Sequence, residues 1–266
     1  MYTAPSIAVK YLKYFLLASN GRGHGIHSPF VYAFTREVLI DKKHYPAYTI
    51  AEDYRQKLLN DDTTLSVVDL GAGSAGGGRM VNRSVSQMAR ISVKPKRYSR
   101  LLYRIAQHYK YRNIIELGTS LGVTSTYLGL VPGLEQFITM EGAESIADYA
   151  EAHFRTTGLQ KTKLVRGNFD DTLNLVLKSL ECVDMAFIDG NHRRVPTMAY
   201  FNQIMEKTNE GSCIVFDDIH WSREMEEAWA EIKNDPRVKL SIDLFFVGIV
   251  FFHPSFIEKQ DFKIRF

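Results

Sequence analysis

The side chains of this sequence that could do chemistry stand at the ends of apolar runs. MAFIDGNH ends on Asp189, with His192 three residues further on, and CIVFDDIHW ends on Asp217 and Asp218. IIELGTSLGVTS places Glu116, Gly118 and Gly122 on a turn, and QFITMEG ends on Glu141. In parallel sheets ligands bind outside the carboxyl ends of the strands, so these are the positions to weigh. An imidazole exchanges a proton near neutral pH, a carboxylate orients hydroxyls, and a glycine lets backbone approach a ligand closely.

Two stretches have the outline of a cofactor loop: VVDLGAGSAGGGR (67–79) and IIELGTSLGVTS (114–125). Such a loop needs a strand before it, a helix after it and an acid ending the next strand. The second has all three, and Glu141 falls about twenty residues past its last glycine, the spacing of a ribose-binding acid. The first lacks the helix and the acid-ended strand. It reads as a glycine-rich turn in an N-terminal extension, leading into a basic lid. No GxxxxGK[ST] phosphate loop occurs in the chain, which suits a cofactor without phosphates.

The pattern E-x-G-x-x-x-G from Glu116 to Gly122 resembles the first motif of class I S-adenosylmethionine-dependent methyltransferases. From about Ile91 onward the chain resembles the metal-dependent O-methyltransferases of catechol, caffeoyl-CoA and sugar types. That resemblance implies an α/β fold with a doubly wound, mostly parallel, seven-stranded Rossmann-like sheet whose last strand is antiparallel. It implies S-adenosyl-L-methionine as cofactor. Glu116, Gly118, Thr119, Ser120, Gly122 and Thr124 would line its methionine end, and Glu141 with Gly142 its ribose. Gly167, Asn168, Phe169 and Asp170 would hold the adenine, and Ile91, Ser92 and Val93 would fold over the cofactor. In the family the strands ending at Asp189 and Asp217 are neighbours, so Asp189, Asp217 and Asp218 would converge, with Asp189 also edging the cofactor. Three adjacent carboxylates repel unless a cation neutralises them, and oxygen ligands suit Mg²⁺. The family's metal holds a substrate hydroxyl and lowers its pKa. Asp189 and His192 are the expected catalytic residues. His192 stands where catechol-type relatives carry a basic residue and would be the general base. Asn191 replaces the acid of the sugar-acting relatives and cannot serve as one.

The expected activity is therefore methyl transfer to a hydroxyl of a small molecule, with alignment supplying much of the rate. Two other readings use the same residues. A methyltransferase of RNA or protein would use the basic run Arg79, Arg83, Arg90, Lys94, Lys96 and Arg97, and a non-catalytic module would bind the cofactor or a partner only. Nucleic acid is disfavoured, because the run lacks interleaved aromatics before Tyr98. Asp217 and Asp218 have a plainer use as helix caps. His24 and His27 have no carboxylate or cysteine nearby in the chain and read as loop-and-cap residues.

The elements that must position these groups follow from periodicity. Strand-like runs at 114–117, 137–140, 163–165, 183–188 and 213–216 alternate with helical patterns at 124–130, 145–156, 171–180, 196–207 and 224–233, which implies βα units. KLSIDLFFVGIVFFH reads as a terminal antiparallel pair turning near Asp243 or Gly248. Residues 98–109 carry an apolar helical face of Leu101, Leu102, Ile105, Ala106 and Tyr109. Ser28 and Pro29 mark a helix start. At the N-terminus, Ile7, Ala8, Tyr11, Leu12, Phe15 and Leu16 have helical spacing, and Lys10 and Lys13 break the run that a signal peptide would need. The chain thus divides into a helical or irregular extension and lid, 1–90, and a methyltransferase domain, 91–266.

Bulk properties fit this. The chain has 266 residues, 45% apolar and 24% charged, with a net charge of +3 that is too small to imply a polyanionic partner. Cys182 and Cys213 sit beside apolar runs and read as reduced, buried residues. No run approaches the roughly 18 apolar residues of a membrane span. A cytoplasmic monomer or homodimer without membrane contact is expected.

Overall fold

The computed structural model describes residues 1–19, 27–68 and 80–266. The helices in chain order are α1 (Ala4–Leu17), α2 (Pro29–Phe34), α3 (Pro46–Leu59), α4 (Val85–Ser92), α5 (Lys96–His108), α6 (Val123–Gly129), α7 (Glu144–Thr157), α8 (Phe169–Lys178), α9 (Arg194–Met205) and α10 (Arg223–Asn234). The strands are β1 (Thr64–Val68), β2 (Met80–Ser84), β3 (Asn113–Leu117), β4 (Gln136–Glu141), β5 (Thr162–Arg166), β6 (Val183–Ile188), β7 (Thr208–Asp217), β8 (Leu240–Asp243), β9 (Val247–Phe251) and β10 (Gln260–Lys263). A π-type turn, Thr35–Leu39, continues α2. The chain divides into two compact units, residues 43–179 and residues 1–42 with 180–266.

In the first of these units, β3 and β5 flank β4, and both pairings are parallel. Ile114, Ile115, Leu117, Phe137, Ile138 and Met140 are buried without polar alternation, the pattern of strands covered on both faces. The expected face of α5 is buried through Leu101, Leu102, Ile105 and Ala106. Residues 61–96, irregular by sequence, hold an antiparallel β1–β2 pair and α4, whose N-cap Ser84 accepts from the Gln87 amide. Tyr149 of α7 donates to Asp61, and Ser145 donates to the Ser66 carbonyl at 2.7 Å, so α7 is tied to the β1 region. The glycine-rich stretch 69–79 and the segment 20–26 with His24 lie outside the described residues. Past Arg79, the basic run is spread over β2, α4 and the first turn of α5.

The other unit has the strand order β10-β8-β9-β7-β6. β6 and β7 are parallel, whereas β9 runs antiparallel to both β7 and β8. The terminal pair turns over Leu244–Phe246, between the two positions expected. Of the seven strands β3 to β9 the last is the antiparallel one, as expected, and β10 is an added strand that pairs parallel with β8. QDFK alternates in exposure, with half of its side chains in solvent, and so left little apolar signal.

Helix α1 forms as its spacing predicts, but the face it buries is rotated. Ile7, Tyr11, Tyr14 and Ala18 pack against Phe245, with the Tyr11 and Phe245 rings edge to face at 5.0 Å. Ala8, Leu12, Phe15 and Leu16, expected inside, are exposed. A helix apolar around most of its circumference does not say which side faces the protein.

Candidate functional site

In the unit 43–179 the turn after β3 is built by backbone geometry. Gly118 has φ +109° and Gly122 φ +79°, a region that side chains with a Cβ rarely adopt. The amides of Gly118 and Thr119 both donate to the Met140 carbonyl at 3.0 Å, locking the turn onto the end of β4. Ser120, at φ +48°, donates its amide to Glu141 Oε2 at 2.9 Å, and the Ala143 amide donates to Glu141 Oε1 at 2.9 Å. Both carboxylate oxygens are therefore aimed by backbone. Burial pushes the Glu141 carboxyl above the ordinary range, and the amides of Ala143, Ser120 and Gly142 oppose that. Gly167, at φ +121°, donates its amide to the Glu141 carbonyl at 2.9 Å, so the segment starting α8 joins the same edge. Asn168 caps α8 by accepting from the Asp170 amide; Phe169 is half-buried and Asp170 exposed.

Below the turn runs a chain of hydroxyls absent from the sequence reading. Thr119 Oγ1 bonds Thr139 Oγ1 at 2.6 Å, and Thr139 donates to Glu116 Oε2 at 2.6 Å, which also accepts from Ser125. Glu116, Thr119 and Ser125 are buried, as is Thr124 on the first turn of α6. Glu116 thus ties β3 to β4 and α6 beneath the loop. From α3, the Tyr54 hydroxyl donates to the Leu121 carbonyl at 2.7 Å, and its ring stacks on His153. Hydrophobic spacing carries no sign of these partners. Ser92 and Val93 close α4, the first exposed and the second half-buried.

In the other unit, Asp189 follows β6, and the chain then passes through left-handed backbone at Asn191 (φ +67°) and His192 (φ +37°). His192 Nε2 lies 3.7 Å from Asp189 Oδ1, an ion-pair distance beyond hydrogen-bond reach. Asn191 donates to the Tyr200 hydroxyl at 3.2 Å. Asp217 ends β7 nearly inaccessible, and at Asp218 the backbone turns left-handed (φ +53°), its amide donating to the Phe246 carbonyl at 2.7 Å.

The sequence reading expected three aspartates to converge on a metal. Among the described residues no group of three or more His, Cys, Asp or Glu side chains is placed to hold a metal ion. Asp217 belongs to the strand, whereas Asp218 follows a change of backbone hand, so adjacency in sequence does not become convergence. No step is routed through a metal.

What does gather is a network that no spacing in the chain announces. His220 bridges Glu226 Oε1 and Asp243 Oδ2, each at 3.0 Å, and its ring stacks on Phe245. Burial pushes the His220 imidazolium down, and Asp243 and Glu226 outweigh it, so its pKa is raised. Tyr2 and Lys10 also donate to Glu226, at 2.7 and 2.9 Å, which anchors the N-terminus of α1.

Residues 115–219 match the family model described as a methyltransferase domain. Over that stretch the chain is similar to a methyltransferase domain. Solved structures share the fold. An O-methyltransferase from Bacillus cereus in complex with S-adenosylhomocysteine is 19% identical, with a TM-score of 0.54 over 84% of this chain and 97% of that one. The S-adenosylhomocysteine-bound methyltransferase PaMTH1 of Podospora anserina is 12% identical, with a TM-score of 0.57 over 95% and 97%. The O-methyltransferase TomG of Streptomyces achromogenes, involved in tomaymycin synthesis and solved with S-adenosylmethionine, is 17% identical, with a TM-score of 0.53 over 84% and 95%. At these identities the likeness establishes the doubly wound α/β fold with mostly parallel strands. No curated protein matches the chain. Among the described residues, no helix is long and apolar enough to cross a membrane.

Proposed function

We propose that this methyltransferase transfers a methyl group from S-adenosylmethionine to a hydroxyl of a small molecule. The observation that carries the reading is the Glu141 cradle: a carboxylate with both oxygens fixed by the Ser120 and Ala143 amides, next to a glycine turn. A carboxylate held in place by backbone amides can accept from a ribose hydroxyl. The turn from Gly118 to Thr124 has no lysine or arginine, which suits a ligand without phosphates and with a positive sulfur. Two of the three relatives described above are O-methyltransferases, and all three were solved with S-adenosylmethionine or S-adenosylhomocysteine.

When bound, S-adenosylmethionine supplies an activated methyl group on a sulfonium. Glu141 orients the ribose beside the glycine turn. His192 takes the acceptor's proton at Nδ1. Asp189 lies 3.7 Å from Nε2 on the other side of the ring.

Calorimetry with S-adenosylhomocysteine and methyl transfer to a panel of phenols and polyols test the reading. Binding that Glu141→Gln weakens about 10- to 100-fold, by loss of hydrogen bonds to a charged acceptor, is expected. No binding to the wild-type chain refutes the cofactor assignment. Assays with and without chelator settle the cation: transfer that survives chelation rests the deprotonation on His192, and transfer that requires Mg²⁺ restores a metal role.

A further inference from the structure

The carbonyls of Leu121 and Gly122, consecutive on the turn after β3, are each held by a side chain. Tyr54 of α3, 67 residues earlier in the chain, donates its hydroxyl to the carbonyl of the buried Leu121 at 2.7 Å. The Gly122 carbonyl accepts from Thr126 Oγ1 at 2.7 Å. Because Thr126 spends its proton there, its oxygen accepts from His153 Nε2, 3.0 Å away on α7. The His153 ring in turn stacks in a parallel plane on the ring of Tyr54. Helices α3, α6 and α7 thus meet in a closed circuit around one stretch of backbone. Burial and then the Lys57 charge bring the imidazole pKa down to about 4, so the ring in this circuit is uncharged at neutral pH.

The Leu121–Gly122 peptide needs such a hold. The residues on both sides of Leu121 have positive φ, Ser120 at +48° and Gly122 at +79°. Turning that peptide over carries Gly122 to negative φ, and glycine populates both signs about as readily. Local preference therefore does not choose between the two orientations. The Gly122 amide, donating to the Thr119 carbonyl at 2.9 Å, and the Tyr54 hydroxyl, donating to the Leu121 carbonyl, grip the two ends of the same peptide and select one.

We propose that Tyr54 is a positioning residue for methyl transfer, its hydroxyl selecting the orientation of the Leu121–Gly122 peptide that the cofactor requires. The inference rests on the reading of this turn as the S-adenosylmethionine site. A phenylalanine would fill the same space and keep the stack on His153, so the hydroxyl is the part of the side chain that acts on the turn. Loss of one neutral hydrogen bond shifts a balance between two conformers about 2- to 12-fold, and the apparent affinity of a ligand falls with the fraction of chains in the binding conformer.

Calorimetry with S-adenosylhomocysteine on the full chain tests this. Tyr54→Phe is expected to weaken binding about 3- to 10-fold at a temperature where thermal melts show the chain folded. Tyr149→Phe is the control. Tyr149 also donates its hydroxyl, to Asp61, but that bond does not reach the turn, so the affinity is expected to stay at the wild-type value. Amide exchange gives a readout without ligand. The Gly122 amide is expected to exchange about 3- to 10-fold faster in Tyr54→Phe, with the amides of β4 unchanged, and at the wild-type rate in Tyr149→Phe. At lowered temperature the same comparison of Gly122 with β4 serves if the variant melts too low for calorimetry. Binding by Tyr54→Phe as tight as by the wild type, or equal weakening in both variants, overturns this inference and leaves the cofactor reading standing. A wild type that does not bind overturns the cofactor reading and this inference with it.

Discussion

Gly122→Ala is the most direct test of the turn that shapes the candidate cofactor cradle. Two costs add at this position. The backbone stands at φ +79°, where a Cβ costs about 1–2 kcal/mol. A Cβ built there also lies 2.9 Å from Phe154 Cε1 and 3.4 Å from the Ala150 Cβ. Phe154 is buried with Ala150 and Leu159, so its ring cannot simply swing away, and overpacking of this kind costs about 1–3 kcal/mol. The sum is a loss of about 2–5 kcal/mol. Gly133 separates the two costs. It has φ +78° and no atom within 4 Å of an added methyl, so Gly133→Ala is expected to lose only the conformational part, about 1–2 kcal/mol. Urea unfolding of both variants gives the ring overlap as their difference. A Phe154→Leu background is expected to bring the cost of Gly122→Ala down toward that of Gly133→Ala. Equal losses at the two glycines in the wild-type background would refute the argument that Phe154 closes the space over the turn.

Three further outcomes follow from the same geometry. His192→Ala is expected to lower the methyl-transfer rate about 10²- to 10⁴-fold while leaving S-adenosylhomocysteine affinity unchanged; equal loss of both in paired kinetics and calorimetry would remove His192 as the base. Asp243→Asn leaves the buried side of His220 without a carboxylate, and removing one member of a buried pair costs about 3–5 kcal/mol; a thermal melt unchanged from the wild type would show that Glu226 alone suffices to hold the ring. Burial and then the Lys57 charge push His153 from 6.5 to about 4, so the unfolded chain binds the proton more readily. Stability present above pH 6.5 is then lost as pH falls toward 4, and His153→Gln is expected to flatten that slope in urea titrations across the range.

The βα half of the fold was legible because its periods change sharply. Ile114–Leu117 and Val183–Ile188 are unbroken apolar runs buried as strands, and α6 to α10 follow at helical spacing. Glu141 was legible for a related reason, since an acid that ends such a run must stand at the strand's carboxyl edge. The supports of the cradle were not. Tyr54, Thr139 and the Met140 carbonyl act through contacts between residues far apart in the chain, such as Tyr54 with Leu121, and no local pattern encodes them. For α1 the helix was readable and its orientation was not, because apolar residues surround the axis and only Phe245, far away in sequence, decides which of them go inside.

Asp217 and Asp218 show where strand-end reasoning stops. The alternation of a strand fixes each side chain's direction up to its last residue and says nothing after the backbone changes hand. Asp218 lies one residue past that limit, at φ +53°. Asp243, at the end of β8, is a buried carboxylate that faces His220, and its place in the sequence suggested only a turn. Its 3.0 Å contact with His220 depends on the reversal from β8 into β9, since Leu244–Phe246 must fold back for Phe245 to stack on the imidazole and for Phe246 to accept from the Asp218 amide. One tight turn therefore places the His220 ring and fixes the backbone at Asp218 together. A change that loosens the turn is expected to disturb both, whereas a change at Asp218 alone leaves the His220–Asp243 contact in place.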